Sequence, residues 1–350
     1  MIRKQTILLS FLFCMQTLSQ SASAMTLFGS KKDKKETTKP VQSDYNKLVG
    51  RDTMAIKGLM GVIQKENDYY LEIPKTLIGR EILVSNKLLQ VPQELNEAGV
   101  NKGINYENKT IKFEWEKDLN KLNIREQRLT PEVYSFYAMA PSVKDNYINP
   151  LIASLKIEGV SKDSASVVVK VTNLFNGKDE CLNDVFNLIN LGTSANSELS
   201  RILSMKAFDN NVAATSELTT VVHEGKSKTN ITIVVSTSLI LLPSRPMMGR
   251  LENQRVGYFT TSRLHYGDNQ PEVATKNYIT RWKLEPKDTA AYMRGELVEP
   301  VKPIEFYIDH AVPANILPYI KKGILDWNKA FERAGFKNAV VVNEFTDSMA

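Results

Sequence analysis

Residues 295–310 read GELVEPVKPIEFYIDH and form the stretch with the clearest local structure in the chain. Ile304, Phe306 and Ile308 alternate with more polar neighbours. Alternation with a period of two is the signature of a strand that buries one face. The stretch therefore predicts a half-buried strand over residues 304–308.

The next run, residues 311–342, reads AVPANILPYIKKGILDWNKAFERAGFKNAVVV. Its apolar residues recur at steps of three and four, which predicts a continuous helix of about twenty residues with one apolar stripe. Pro313 suits the first helical position and Gly335 suits a left-handed cap after the last turn. A second strand is predicted over residues 336–342. Strand, helix and strand together predict a right-handed parallel crossover.

The preceding segment, residues 99–294, is predicted to be mostly β. Short runs of β-branched and aromatic residues recur there between turn signals. These runs are residues 111–115, 133–138, 166–172, 216–222, 230–242, 256–261 and 275–284. Two short helices are expected at residues 182–189 and 197–205. Many short strands with intervening turns favour an antiparallel sheet or sandwich.

The N-terminal part has three predicted segments. Residues 1–24 have a charged start, a short apolar run and an Ala-Ser-Ala site, which predicts a secretory signal peptide. Residues 25–44 are polar and lysine-rich, which is typical of a flexible tether. Residues 45–95 alternate between helical and strand patterns and predict a small α+β domain. We therefore expect an exported protein that is periplasmic, exposed on the cell surface or secreted.

The net charge of +6 does not indicate a nucleic-acid partner. Arg3 and Lys4 lie in the leader, and residues 31–39 carry five lysines against two acidic residues. The rest of the chain is therefore close to neutral, whereas nucleic-acid binding requires a basic face on a folded domain. The apolar run of the leader is too short to span a bilayer, and no membrane span is expected.

The candidate metal ligands are few. His223 and Glu224 begin like a zinc-binding H-E-x-x-H helix, but Ser227 occupies the position of the second histidine. His265 and His310 have no second ligand at helical spacing. Cys181 is the only cysteine after the leader, so no disulfide framework is expected. Cys181 is either an incidental free thiol, which we favour, or a zinc ligand that keeps a protease latent.

The loop at residues 243–259 is the most distinctive stretch outside the C-terminal unit. Two prolines and two glycines punctuate it and predict a rigid loop that enters a strand. Its arginines, at positions 245, 250 and 255, could bind an anionic group or a peptide carboxylate. The favoured alternative is a structural turn in which they pair with local carboxylates.

Several blocks together resemble a family of bacterial exported zinc-dependent metalloproteases related to the metzincins. The blocks are YLEIP with the segment that continues to residue 83, LPSRPMMGR with RVGYF, RWKLEP, GELVEP through residue 309, and WNKAFERAGF. They are similar, in order, to a small N-terminal domain, the end of a long second domain, and the first strand and helix of a catalytic domain. The resemblance implies a fold of class α+β, with mostly antiparallel β accessory domains before a metzincin-like α/β domain that begins at residues 295–350.

In that family, the zinc ligands and a general-base glutamate lie on an H-E-x-x-H-x-x-G-x-x-H segment downstream of this helix. The base activates a zinc-bound water for attack on a peptide bond. No position of this sequence matches that segment, so no catalytic, metal or cofactor residue is assigned. We expect a fragment or a truncated gene product that binds no zinc and is inactive alone, whereas the full-length enzyme would act on proteins or peptides. The alternative is a non-enzymatic exported β-rich binding module.

Overall fold

The structure is a computed structural model. It describes residues 45, 48–50, 53–128, 131–177, 182–186, 189, 191, 193–224, 227–267, 269 and 272–346, without the side chains of residues 224 and 227. The predicted signal peptide, the tether and Cys181 lie outside these residues.

Sixteen strands are described. They are β1 (Met54–Ile56), β2 (Gly61–Lys65), β3 (Asp68–Pro74), β4 (Glu81–Gln90), β5 (Asn105–Glu116), β6 (Lys121–Glu126), β7 (Glu132–Val133), β8 (Leu151–Val160), β9 (Ser166–Lys170), β10 (Arg201–Ala207), β11 (Asn211–Glu224), β12 (Ser227–Leu241), β13 (Thr260–Tyr266), β14 (Ala274–Ile279), β15 (Ile304–Ile308) and β16 (Val340–Glu344). The α-helices are α1 (Gln93–Glu97), α2 (Ala140–Asn146), α3 (Thr172–Phe175), α4 (Thr289–Met293), α5 (Leu317–Leu325) and α6 (Asn328–Arg333), and 3₁₀ turns occur at Lys75–Leu77 and Lys117–Leu119.

One large sheet contains eleven of these strands, in the order β1-β2-β3-β9-β8-β6-β5-β4-β12-β11-β10. Every neighbouring pair in it is antiparallel. Its burial alternates along the strands, as in β3, where every second side chain is buried. This alternation places one apolar face inward, as the period-two sequence pattern requires. The predicted α+β, β-rich class is confirmed.

The two ends of the sheet approach each other and nearly close it into a barrel. The amide of Leu59 donates to the carbonyl of Phe208 over 2.7 Å, which joins the segment before β2 to the end of β10. The neighbouring Gly58 permits this approach, because a Cβ there would lie 2.7 Å from the Phe208 carbonyl oxygen. Near-closure leaves little of the sheet edge open to other chains.

The residues of the predicted small domain, 45–95, share this barrel with the residues that follow. β4 pairs with β5 on one side and β12 on the other, and β3 pairs with β9. The largest apolar cluster likewise combines side chains before residue 95 with side chains after it. The predicted boundary at residues 95–99 therefore separates two sequence segments but not two cores. Local periodicity did not reveal this, because pairing partners such as β4 and β12 are about 150 residues apart.

A second sheet of three strands has the order β14-β13-β7. β13 and β14 form an antiparallel pair, and the short β7 runs parallel to β13. The strand predicted over residues 133–138 is wrong beyond Val133, and the strand predicted over 256–261 begins only at Thr260.

The C-terminal unit has the predicted order of elements. β15 and β16 pair in parallel across the intervening helices, and β15 has the predicted bounds. Its small core joins Ala291 of α4 to Val298, Phe336 and Ala339, with Leu284 at its margin. The core of this unit thus includes side chains that precede residue 295 in the chain.

Four predictions on helices need correction. The single helix expected from Pro313 is two helices, α5 and α6, separated by a turn at Asp326 and Trp327. The first of these helices, α5, begins at Leu317. The proline in its first turn is Pro318 rather than Pro313, and a missing amide costs nothing at that position. The helices expected at residues 182–189 and 197–205 are absent from the described part of those segments: residues 182–186 are irregular, and residue 201 begins β10. In the segments 182–189 and 197–205, tertiary burial outweighs the helical preference that the local apolar spacing indicated.

No helix in the described ranges is both long and apolar enough to cross a membrane.

Candidate functional site

The three histidines lie on different elements. His223 is exposed at the end of β11, His265 is buried in β13, and His310 is exposed after β15. His223 lies in β11 rather than on a helix, so it is not part of a zinc-binding H-E-x-x-H helix. Within the described ranges, no group of three or more His, Cys, Asp or Glu side chains is arranged to hold a metal ion. In the part of the chain that the structure describes, Asp309 is the one carboxylate paired with a histidine, and its oxygen lies 3.7 Å from His310 Nδ1.

The loop at residues 243–259 is fixed to the second sheet by backbone hydrogen bonds. The Ile279 amide donates to the Arg250 carbonyl, and the Glu252 amide donates to the Asn277 carbonyl, both over 2.9 Å. Arg281 reinforces the loop by donating through Nη2 to the Met248 carbonyl, also over 2.9 Å. The predicted rigid loop is therefore held along β14.

A cleft of about 210 Å³ opens beside this loop. Its charged side chains are Arg245, Arg281, Lys283 and Glu285. Lys283 and Glu285 form an ion pair of 3.2 Å, so the two arginines give the cleft an excess of positive charge. A guanidinium fork can bind a carboxylate through two parallel hydrogen bonds. The cleft is therefore suited to an anionic group such as a peptide carboxylate.

The favoured expectation that the loop arginines pair with local carboxylates finds no support here. Among the described residues, no ion pair involves Arg245, Arg250 or Arg255. The nearby acidic side chains have other partners: Glu252 accepts from Asn277, and Glu132 accepts from Tyr278. The pKa of Tyr278 is raised mainly by burial and, to a smaller extent, by the hydrogen bond to Glu132.

A second, more polar cleft of about 600 Å³ lies where the barrel nearly closes. It is formed by the turn between β2 and β3, by α3 and by the start of β10. Its lining side chains are mostly amides and hydroxyls: Gln64, Asn67, Thr172, Asn173, Asn176, Ser197 and Ser200. Asp68 is held in place by Lys170 at 2.7 Å and by the Thr172 hydroxyl at 3.1 Å. Local sequence patterns could not predict this cleft, since its residues come from three separate segments.

An aromatic group stands exposed beside β7. The rings of Tyr134 and Phe136 stack with centroids 5.3 Å apart, and Tyr137 packs edge-on against both. Phe136 is 77% exposed. An apolar groove of about 360 Å³ lies next to them and includes Val143 of α2 and Tyr147. The three aromatic residues within positions 134–137 could have indicated this group from the sequence, but the pattern was interpreted only as a strand.

The C-terminal unit carries a large uncovered apolar surface. No side chain of α5 or α6 is buried. Tyr319 is 76% exposed and Trp327 is 63% exposed. Trp327 lies on the apolar stripe of the helical segment, but it is not part of the described core. Asn328 nevertheless anchors the helices to β16, because its amide both donates to the Val340 carbonyl and accepts from the Val340 amide over 2.9 Å.

Two titratable groups in this unit are shifted by local hydrogen bonds. The Ala311 amide donates to the Asp309 carboxylate over 2.9 Å and lowers the pKa of that carboxyl. The Glu305 carboxylate accepts from the Tyr307 hydroxyl over 2.7 Å and raises the pKa of that phenol. Both groups are exposed, and their arrangement provides neither a nucleophile nor a general base with an orienting partner.

Comparison with known proteins gives two family matches. Residues 42–91 match a family described as a domain of unknown function (DUF5118). Residues 103–287 match a second family described as a domain of unknown function (DUF5117). No curated protein and no solved structure matches the chain. The gap between the two matched segments falls at the predicted boundary near residues 95–99, although the strands on either side of it build one barrel. Because the second match covers more than half of its 350 residues, the chain belongs to the family described as DUF5117.

Proposed function

We propose that this chain is the N-terminal accessory region and the first part of the catalytic domain of an exported zinc-dependent metalloprotease. The observation that carries the proposal is the parallel strand–helix–strand unit with its uncovered helical face. The sequence resemblance to the exported metalloproteases supports it. The barrel and the three-stranded sheet are then the accessory region.

The exposed surfaces of the C-terminal unit favour packing against additional protein. Parallel sheets are normally covered on both faces, and a parallel pair of strands seldom stands alone. β15 pairs only with β16 among the described strands. Exposure of Tyr319 and Trp327 leaves an apolar surface that would be stabilised by cover from additional protein. A catalytic domain that extends this sheet would supply that cover.

The described residues do not fit a zinc site. His223, His265 and His310 are not brought together, and among the described residues no carboxylate group completes a ligand set with any of them. No step of zinc chemistry is therefore assigned to this chain. In the proposed enzyme, the ligands and the general base belong to the H-E-x-x-H segment that the resemblance implies.

The accessory region could shield the active-site cleft, assist folding or bind substrate. Of these three roles, the clefts favour substrate binding. The cleft at Arg245 and Arg281 has two guanidinium groups and a single carboxylate, Glu285, which already pairs with Lys283. Such a site suits the carboxylate of a peptide substrate. The same clefts favour the second candidate function, a non-enzymatic exported β-rich binding module.

The enzymatic proposal is tested on the coding sequence and on the chain itself. Translation in frame beyond Ala350 is expected to reveal an H-E-x-x-H segment, and its absence would refute the protease assignment in favour of the binding module. The 350-residue chain is expected to contain less than stoichiometric zinc by elemental analysis and not to cleave casein. Stoichiometric zinc with cleavage that a chelator abolishes would contradict the accessory role.

The substrate-binding role has its own test. A short peptide with a free C-terminal carboxylate is titrated calorimetrically into the chain, with the same peptide amidated at its C-terminus as the matched ligand. Binding should weaken on amidation and on Arg245→Ala, but not on Arg333→Ala, which changes an arginine outside the cleft. Equal affinity for the two peptides would rule out carboxylate recognition.

A further inference from the structure

A row of polar side chains crosses the apolar interior of the barrel. Inward positions on β4, β12 and β11 are apolar on both sides of this row, but Asn86, Thr237 and Ser216 interrupt them. Asn86 lies opposite Thr237 in the register of β4 and β12. Ser216 lies on β11, two residues beyond Ala214, which is the partner of Thr237. The three side chains are each 0% exposed.

This row separates two apolar clusters of the barrel. Val84, Leu239 and Ala214 belong to the larger cluster on one side. Leu88 and Val235 belong to the smaller cluster on the other side. A polar layer at the junction of two apolar clusters is costly unless each of its groups is hydrogen-bonded.

A fourth polar residue reaches the interior from the irregular segment 182–186. Asn183 is 1% exposed, and it lies among the buried Leu182, Val185 and Phe186. Asn86 Nδ2 donates to the Leu182 carbonyl over 2.7 Å. This hydrogen bond fixes the interior segment against β4.

The orientation of both amide groups is determined by these contacts. Asn86 Nδ2 faces the Leu182 carbonyl, and Asn183 Nδ2 faces the Phe175 carbonyl at 2.7 Å. A carbonyl requires a donor, so neither amide can be flipped without losing its bond. The Oδ1 atoms of both residues are thus left as acceptors.

Four buried oxygen atoms in this region have no hydrogen-bond partner in the part of the chain that the structure describes. They are Asn86 Oδ1, Asn183 Oδ1, Ser216 Oγ and Thr237 Oγ1. Native interiors leave few such groups unsatisfied, and the usual partner of a buried polar group that lacks a protein partner is an ordered water.

The chemistry of the four atoms matches one small molecule. The two amide oxygens only accept hydrogen bonds, while the two hydroxyls can each donate one. A water molecule donates two hydrogen bonds and accepts two. We propose that the barrel interior contains a water-binding site in which water donates to Asn86 and Asn183 and accepts from Ser216 and Thr237. This water links the interior segment 182–186 to β11 and β12.

The charges around the site favour a neutral ligand over a cation. The four oxygen atoms carry no formal charge. Among the described residues, a hydrogen bond joins the row to the carboxylate of Glu107, at 3.4 Å from Asn86 Nδ2, and Lys109 Nζ already neutralises this carboxylate at 2.9 Å. A buried cation without an anionic partner would be strongly disfavoured. Water satisfies the same atoms without introducing a charge.

The first experiment is a crystal structure of the wild-type chain at a resolution that shows ordered water. We expect a density peak in contact with the four oxygen atoms at about 2.7–3.1 Å, the hydrogen-bonding range. Contacts of about 2.3–2.6 Å from several oxygens would indicate a cation such as Ca²⁺ and overturn the proposal. A site without density would overturn it as well.

The second experiment detects the water in solution by relaxation dispersion of H₂¹⁷O. The double variant Ser216→Ala/Thr237→Val removes both donors while nearly preserving side-chain shape, and it should lose about one long-lived water. Thr220→Val is the matched control, since the buried Thr220 hydroxyl donates directly to the Ser194 carbonyl over 2.7 Å. The control should keep the wild-type number of long-lived waters. An unchanged number in a folded double variant would contradict the proposal, and the wild-type crystal decides the matter if that variant does not fold.

Discussion

Gly335 allows the packing of the C-terminal unit to be tested with a single methyl group. Its φ is +91°, in the left-handed region, and an added Cβ would lie 2.6 Å from Cε2 of Tyr292. Tyr292 is held in place by its hydroxyl, which donates to the Ala334 carbonyl over 3.1 Å. The ring also packs on Phe336, with centroids 5.1 Å apart. Gly335→Ala therefore creates both backbone strain and a steric clash.

Two other glycines of the same unit separate these effects. Gly295 has a φ of +83° but no atom within 4 Å of an added Cβ, so Gly295→Ala introduces strain alone. Gly323 lies within α5, also without a neighbour within 4 Å, and needs no unusual φ. The three substitutions add the same methyl group to one unit and differ in backbone strain, in steric contact and, at Gly323, in helix propensity.

The expected changes in free energy of unfolding follow from these geometries. Strain in the left-handed region costs about 1–2 kcal/mol, and overpacking adds about 1–3 kcal/mol. Gly335→Ala should therefore destabilise the unit by about 2–5 kcal/mol, and Gly295→Ala by about 1–2 kcal/mol. Gly323→Ala should stabilise it by about 1 kcal/mol, because alanine has the higher helix propensity.

Hydrogen exchange measured by mass spectrometry on peptides from residues 289–344 is the suitable assay. The unit has its own small core, so local exchange reports its opening separately from the barrel. The amides of Val298 and Lys337 bond across the unit to the carbonyls of Gly335 and Val298, at 3.1 and 2.9 Å, and are the reporters. Equal losses of protection in Gly335→Ala and Gly295→Ala would refute the proposed contact with Tyr292.

Two further predictions concern the barrel. Asp163 accepts from the Ser161 hydroxyl at 2.6 Å and the Ala165 amide at 3.0 Å, and these bonds lower its pKa. Its contribution to stability should be complete above the unfolded-state pKa of about 3.9 and disappear as the pH falls through the lower folded-state pKa. The free energies of unfolding of wild type and Asp163→Asn, measured with urea between pH 6 and pH 3, should therefore converge at the acid end. A constant difference between them would contradict this. Phe113 is 2% exposed in the barrel core, so Phe113→Ala should lower the free energy of unfolding by about 3–5 kcal/mol. Phe136→Ala, at a ring that is 77% exposed, should change it by about 0.5 kcal/mol or less, and similar losses in chemical denaturation would show that the burial of Phe113 is not decisive.

Local sequence patterns were sufficient for the elements with strong periodicity. The alternation at residues 304–308 predicted β15, and the recurring β-branched runs predicted four strands of the barrel, β5, β9, β11 and β12. Gly335 was expected after the last helical turn in a left-handed conformation, and it has one. These features depend on neighbouring residues, so a short window of sequence is enough to predict them.

The sequence by itself thus determined the β-rich class and the strand–helix–strand order of the C-terminal unit. Only the tertiary structure decided that residues 45–95 complete a barrel with later strands, that Arg245 has no carboxylate partner among the described residues, and that Asn86 and Thr237 meet in the interior. Each of these depends on contacts between residues far apart in the chain. Strand order and side-chain pairing are fixed by which distant surfaces bury each other, and the local period of the sequence does not specify them.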